Sequence, residues 1–326
     1  MQRAMSVRAN GIYSMNQANL VEPQLMHVVC PGASTTDAST HHMAWWSWGD
    51  ATSKKTLLCV HGLSRQGRDF DVLARKLSSH YHVICPDVAG RGQSDWLADP
   101  KGYNLFSYVG DMVALAQSLK SLKGLKPEDG PLDIDWVGTS MGGLIGLGFS
   151  TVPPEVSGLR IRRMVLNDVG PRLRIEALLR IGSYLGLPKR FKSEQEAADY
   201  LWSISTGFGP HTPEQWLALS RPLLRPAPDR QGLILRYDPA IAEPFKAMTA
   251  DTAQAGEAMV WQTYDQLKAE TLVMRGEDSD LLDAATAQEM TERGPKARLV
   301  SFPGVGHAPT LIAPDQIAAL EGFLLA

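Results

Sequence analysis

The sequence predicts an α/β fold: a mostly parallel eight-stranded sheet flanked by helices, with a helical insertion after the sixth strand. Three observations point there. Short apolar runs recur with helix-period stretches between them, the pattern of parallel strands joined by crossovers. Loops rich in Gly, Pro and Asp follow most of the runs. From Pro171 to about Asp265 the alternation gives way to helical patterns, and it resumes at Thr271.

The strands expected are Met26–Cys30, Met43–Trp48, Thr56–Val60, His82–Cys85, Ile134–Val137, Met164–Leu166, Thr271–Met274 and Leu299–Phe302. No helix separates the first two, so they pair as an antiparallel edge. Helices are expected where the apolar period lengthens, at Phe70–Leu77, Ser107–Leu122, Gly142–Ser150, Ala284–Arg293 and Pro314–Leu324. Pro153-Pro154 stops the third, because proline lacks the N–H and clashes with the preceding turn. The insertion reads as helices Leu173–Leu187, Ser193–Ile204 and Pro213–Leu224, then a proline-spaced stretch to Phe245. The domains expected are therefore a core of residues 1–170 and 266–326 and a helical cap of residues 171–265. Such an insertion lies over the C-terminal edge of the strands, where open α/β sheets place their ligands.

Composition limits the function classes. The chain has 326 residues, 44% hydrophobic and 21% charged, which is an ordinary globular mixture. Thirty-two Lys and Arg against thirty-five Asp and Glu give a formal net charge of −3, too balanced for a nucleic-acid footprint, so no nucleic acid is expected. No apolar run approaches the roughly 18 residues that span a bilayer, and the first 25 residues lack the apolar middle of a signal peptide. A cytoplasmic protein with no membrane partner is the expectation. Cys30, Cys59 and Cys85 lie far apart with no metal-ligand spacing, and Cys59 and Cys85 fall inside strand-like runs as small hydrophobes. No metal and no cofactor are expected.

The strongest chemical signal is Gly138-Thr139-Ser140-Met141-Gly142, set between the strand ending at Val137 and the helix that follows. A G-x-S-x-G turn of this kind exposes the serine at a sharp strand-to-helix bend that only glycines allow the neighbouring backbone to pass. Ser140 then lies at the positive end of a helix, and the Met141 N–H points to where an oxyanion forms. A second donor comes from the loop after an earlier strand. Here Thr56–Val60 runs into His61-Gly62-Leu63, and Leu63 is the expected donor.

A hydroxyl needs a base, and the base needs an acid to fix its tautomer. His307, in the loop Gly304-Val305-Gly306-His307-Ala308-Pro309 after the last strand, is the expected base. His61 is better placed to shape the oxyanion loop. The loop behind Leu272–Gly276, Glu277-Asp278-Ser279-Asp280, carries three carboxylates, and Asp168 follows the sixth strand; all keep the chain order Ser, acid, His.

With these residues in place the chain resembles the α/β-hydrolase-fold superfamily from about Met26 to Leu325. The matching pieces are His61-Gly62, the Asp87–Ser94 turn, the Ser140 elbow, the Asp280 loop and Gly306-His307. Within it, His61-Gly62-Leu63-Ser64-Arg65, Asn167-Asp168-Val169-Gly170-Pro171 and Arg275-Gly276 followed by Ser279-Asp280 resemble a capped bacterial serine esterase-like group. That resemblance implies Asp280 as the acid. The commoner superfamily spacing, three residues after the glycine, falls on Ser279, a non-acid, and this keeps Asp278 in play. Dehalogenases and epoxide hydrolases of the fold carry aspartate where this chain has Ser140. The resemblance implies a serine hydrolase acting on a small-molecule carboxylic ester. Ser140 is its nucleophile, His307 its base, Asp280 its acid, and Leu63 and Met141 its oxyanion donors. The same triad serves carbon–carbon, thioester and lactone cleavage, and some members of the fold only bind ligands, so these stand as alternatives.

Two further groups stand out. Trp45, Trp46 and Trp48 read as packing residues of an early strand. Arg172, Arg174, Arg180, Lys189, Arg190 and Lys192 make the first part of the insertion basic, which reads as a solvated face or as an attraction for carboxylate-bearing substrates. Substitutions at apolar positions of the insertion such as Trp202 or Trp216 are expected to shift chain-length preference more than the chemistry.

Overall fold

The computed structural model describes residues 22–32, 39–246 and 250–326. Most of the N-terminal stretch read above, residues 1–21, lies outside the described residues.

The strands are β1 (Gln24–Pro31), β2 (Thr40–Trp48), β3 (Thr56–Val60), β4 (His82–Pro86), β5 (Leu132–Thr139) and β6 (Leu159–Asn167). Beyond them lie β7 (Arg190–Phe191), β8 (Leu224–Pro226), β9 (Leu233–Leu235), β10 (Glu270–Gly276) and β11 (Arg298–Phe302). The helices are α1 (Asp71–Leu77), α2 (Leu105–Leu122), α3 (Met141–Phe149), α4 (Pro154–Ser157), α5 (Ile175–Tyr184) and α6 (Glu194–Ser203), followed by α7 (Pro213–Ser220), α8 (Glu243–Lys246), α9 (Ala250–Gln266), α10 (Ala284–Glu292) and α11 (Pro314–Leu324).

Among the described residues, eight strands form one sheet in the order β1-β2-β4-β3-β5-β6-β10-β11. β1 pairs antiparallel with β2, and β2 antiparallel with β4; the remaining pairs are parallel. The central strands β3 and β4 are buried along their whole length. This follows from their unbroken apolar runs, the signature of strands covered on both faces. Alternation sends Leu58 and Val60 to one face, with Met112 and Leu115 of α2 and Ile145 of α3. It sends Leu57 and Cys59 to the other, with Leu73 and Leu77 of α1 and Leu320 and Phe323 of α11. Trp45 and Trp48 are buried in these two cores, and the Trp46 indole N–H donates to Asp87. Local signals set the helix ends: the Asn104 side chain accepts from Ser107 N–H at the start of α2, and Thr212 and Gln215 form a capping box on α7.

The chain leaves β3 towards β4 on one side and returns to add β5 on the other. The loops after β3 and β5 therefore part, and open a crevice at the C-terminal ends of the strands. The segment after β6 is not purely helical. Besides α5, α6, α7 and α8 it holds a three-stranded antiparallel sheet, β7-β9-β8. Strands of two and three residues carry no readable period, which is why the helical reading of the insertion missed them. Helix α9 falls within the expected insertion, yet its Trp261 and Tyr264 pack with Leu147, Met164 and Leu166 against the main sheet. Among the described residues no helix is long and apolar enough to cross a membrane.

Candidate active site

Ser140 joins β5 to α3 with φ 52° and ψ −119°, a left-handed backbone in which a non-glycine residue is strained. Its neighbours make the bend passable. A Cβ on Gly142 would run into the Val60 carbonyl of β3, and one on Gly138 would run into the backbone of Gly142 and Gly143. The expected elbow is thus a close approach of three backbone segments.

The loop after β11 brings His307 to the serine: Nε2 lies 3.0 Å from Ser140 Oγ, and Nδ1 lies 2.8 Å from Asp168 Oδ2. A carboxylate only accepts, so Nδ1 carries the proton and donates to Asp168. In the neutral ring Nε2 is then left to accept from the Ser140 hydroxyl. Asp168 follows β6 with φ 54° and is fully buried. Its Oδ1 accepts from Gly276 N–H at 2.9 Å, and its Oδ2 also accepts from the Ser279 hydroxyl at 2.5 Å. Asn167 Nδ2 donates to Thr139 Oγ1 at 2.9 Å and to the Pro309 carbonyl at 2.8 Å, tying the elbow to the histidine loop.

The carboxylate that meets His307 is that of Asp168, where the resemblance implied Asp280. The Asp280 carboxylate closes on Arg180 of α5, with Oδ2 2.6 Å from Nε and Oδ1 2.9 Å from Nη2; both side chains are more than 40% exposed. Asp278 is exposed on the same rim. Ser279 holds the position three residues after the glycine and spends its hydroxyl on Asp168. Asp168 is one of the acids that the chain order allows.

The loop expected to supply an oxyanion donor follows β3. His61 is buried, and burial pushes its imidazole down to about 3, so the ring is neutral. Nε2 accepts from Val88 N–H at 2.9 Å, which leaves the proton on Nδ1 to donate to the Gly62 carbonyl at 2.7 Å. That carbonyl shares a peptide plane with the Leu63 N–H, so His61 fixes the direction in which Leu63 donates. Leu63 lines the cavity with Ser140. Met141 is the first residue of α3, and its N–H is one of those that a helix leaves without an internal partner. Buried Arg91 donates to the carbonyls of Leu63 and Ala89 and to the Tyr108 hydroxyl, bracing this loop from behind. Arg91 lies within the Asp87–Ser94 turn and is not among the candidate residues of the sequence. An arginine there carries no sequence signal until its burial is known.

A cavity of about 90 Å³ opens on Ser140 and His307, walled by Ile181, Tyr184, Leu201, Ile204, Phe208, Leu223, Leu235 and Tyr237 from the segment after β6. It shares Arg180, Tyr184, Ile204, Ser205 and His307 with an outer chamber of about 420 Å³, whose rim carries Asp278 and Asp280. Trp202 and Trp216 are not among the lining residues. They pack on one another edge to face, with the Trp216 indole N–H donating to the Ala198 carbonyl. Arg65 also lines the inner cavity, but its guanidinium is closed on Asp69 at 2.6 and 2.8 Å.

Among the described residues, one further group brings potential ion ligands together. Cys30 and His41, cross-strand partners in β1 and β2, face Asp111 of α2, and their donor atoms lie within 4.8 Å of one another. Far apart in sequence, these residues showed no ligand spacing. Burial raises the Cys30 thiol and the Asp111 carboxyl, and a thiol, a carboxyl and an imidazole 3.2 Å from that carboxyl make a self-contained polar cluster.

Residues 57–320 match the model of the alpha/beta hydrolase family. The chain is 46% identical over 303 residues to a 3-hydroxybutyrate-oligomer hydrolase of Cupriavidus necator, covering 92% of this chain and 97% of that protein. It is 24% identical over 281 residues to a pimeloyl-[acyl-carrier protein] methyl ester esterase of Xanthomonas campestris, covering 83% and 95%. Among solved structures, an alpha/beta hydrolase from Novosphingobium aromaticivorans superposes with a TM-score of 0.76 at 33% identity, covering 94% of this chain and 99% of that one.

Proposed function

This chain belongs to the α/β hydrolase family and is an ester hydrolase, and from that premise we propose that it cleaves short oligomeric esters of 3-hydroxy acids through Ser140, His307 and Asp168. One observation carries the mechanism: the unbroken relay from Ser140 Oγ through His307 to buried Asp168, at 3.0 and 2.8 Å. His307 Nε2 takes the Ser140 proton as Oγ attacks the ester carbonyl carbon. Charge on the carbonyl oxygen is met by the N–H groups of Leu63 and Met141. His307 returns the proton to the departing hydroxyl of the alcohol-side unit, leaving an acyl-serine. Water, deprotonated by His307, then releases the shortened acid and restores Ser140. Asp168 holds the tautomer and the imidazolium throughout.

The substrate class is supported by the 46% identity to the Cupriavidus necator enzyme across nearly the full length of both chains. It is also supported by a cavity wall that is apolar with a few hydroxyls, suited to methyl-bearing ester units. Residues 171–246 act as the cap, since most of that wall comes from them, while α9 serves the core. A cytoplasmic location accords with three unpaired thiols.

The test is release of 3-hydroxybutyrate from its dimer and trimer. Ser140→Ala should lose at least ~10³-fold in turnover while remaining folded, and should no longer react with a fluorophosphonate probe. Near-normal turnover by the folded variant overturns the nucleophile. Wild-type inactivity on both oligomers alongside cleavage of p-nitrophenyl acetate overturns the substrate class alone.

A further inference from the structure

We propose that Arg180 is a binding subsite for the free carboxylate end of the substrate, and that Asp280 occupies its guanidinium until that carboxylate displaces it. This rests on the hydroxy-acid ester reading above. Arg180, Ile181 and Tyr184 share one face of α5, and all three line the cavity that holds Ser140 and His307. Arg180 also borders the outer chamber, so it stands where a chain leaving the scissile bond would emerge.

The pairing with Asp280 shows what the fork accepts. Nε and Nη2 take the two oxygens of one carboxylate in parallel, the geometry that suits the end group of a hydroxy acid. Both partners are more than 40% exposed, so water already weakens the pair and its loss costs little. Exchanging Asp280 for a substrate carboxylate keeps the bidentate contacts and leaves the Asp280 charge in solvent. Other cations cannot serve as well. Arg65 is buried against Asp69 and also donates to the Leu219 carbonyl, while Arg172 and Arg190 are paired with Glu257 and Asp229 and do not line the cavity around Ser140. The rim is otherwise acidic through Asp278. A negative substrate end therefore gains nothing from the general field and depends on Arg180. Such a subsite favours oligomers bearing a free acid over neutral esters of the same length.

The experiment compares the 3-hydroxybutyrate dimer as free acid and as methyl ester, with p-nitrophenyl acetate reporting the chemistry at Ser140. Arg180→Gln should raise KM for the free acid about tenfold, the scale of one charge-assisted bidentate contact at a half-exposed site, and leave its kcat and both neutral esters within about twofold. Asp280→Asn should lower KM for the free acid several-fold. Asp278→Asn, which removes the same charge from the rim and leaves the fork capped, should do less. Equal losses on acid and methyl ester in Arg180→Gln, or an Asp278→Asn effect as large as that of Asp280→Asn, overturn the subsite. Inhibition of p-nitrophenyl acetate hydrolysis by 3-hydroxybutyrate, set against 3-hydroxybutyramide, separates this from the oligomer reading. If neither dimer is cleaved but the acid inhibits better than the amide, and only with Arg180 present, the subsite stands and the oligomer reading falls. No difference between acid and amide removes the subsite whatever the oligomers do.

Discussion

Asp168→Asn is the most direct perturbation of the proposed relay. The Asp168 carboxylate accepts three hydrogen bonds, from Gly276 N–H, the Ser279 hydroxyl and His307 Nδ1–H. An amide has one accepting atom and one donating group, so it cannot satisfy all three. With its oxygen on Gly276, its NH₂ faces the Ser279 hydroxyl and His307 Nδ1. Ser279 can turn its hydroxyl; the imidazole can only move its proton to Nε2, which removes the acceptor for Ser140. The wrong tautomer and the lost imidazolium stabilisation together are worth roughly 10⁴-fold in turnover, or about 5.5 kcal/mol. The fold should survive, because asparagine tolerates the left-handed backbone that position 168 adopts. Asp280→Asn removes only a half-exposed ion pair with Arg180, worth about 1 kcal/mol or less, and should leave p-nitrophenyl acetate turnover within a few-fold of wild type. Steady-state kcat on that neutral ester, with circular dichroism and thermal melting as controls, decides the matter. A folded Asp168→Asn with near-wild-type kcat, or a 10³-fold loss in Asp280→Asn, would refute the reasoning.

Three further outcomes are expected. His61→Gln should lower kcat roughly 10- to 100-fold with little change in KM, because the Gly62–Leu63 peptide loses the group that aims its N–H; a change confined to KM would remove the positioning role. Alanine at Leu223 or Phe208, which line the inner cavity, should shift the preference among p-nitrophenyl esters of rising chain length, whereas Trp216→Ala should lower melting temperature and activity on every ester alike; a reversed pattern would show the cavity wall misassigned. Burial pushes His82 down to about 4 while the unfolded ring keeps its ordinary value near 6.5, so between those limits the unfolded chain binds the extra proton and stability falls as pH falls. His82→Asn should flatten that acid limb in urea melts between about pH 6.5 and 4, and an unchanged slope would show the ring titrating normally in the folded protein.

What the sequence made legible is what burial and backbone geometry impose locally. All eight strands of the main sheet were readable, the central ones most clearly, because strands covered on both faces must be apolar; Leu57–Val60 and Val83–Cys85 are the clearest cases. The elbow was readable because the closeness of Val60 to Gly142 leaves room for nothing larger. The small sheet β7-β9-β8 was not, since Arg190–Phe191 and Leu224–Pro226 are too short for alternation to be counted. Contacts made by Arg91 and by the Cys30, His41 and Asp111 group join residues remote in sequence, and no local pattern marks them.

The acid shows why order and spacing stop short of assigning a site. Asp168 follows β6 and Ser279 follows β10, which are adjacent parallel strands, with Val165 opposite Leu272 and Asn167 opposite Met274. Neighbouring parallel strands run about 4.8 Å apart, so a side chain leaving the end of either one reaches the same point beneath the histidine loop. Moving a carboxylate between these two places preserves the chain order Ser, acid, His and leaves the geometry at His307 almost unchanged. Pairing the carboxylate in one place with a hydroxyl in the other keeps both buried ends satisfied, as Ser279 does for Asp168. An acidic residue next to the vacated place, here Asp280, then matches a familiar spacing while its carboxylate is taken by Arg180 of α5. The choice is made by which strand end is buried under His307. That is a property of the sheet register, and it becomes visible only when the two strands are laid side by side.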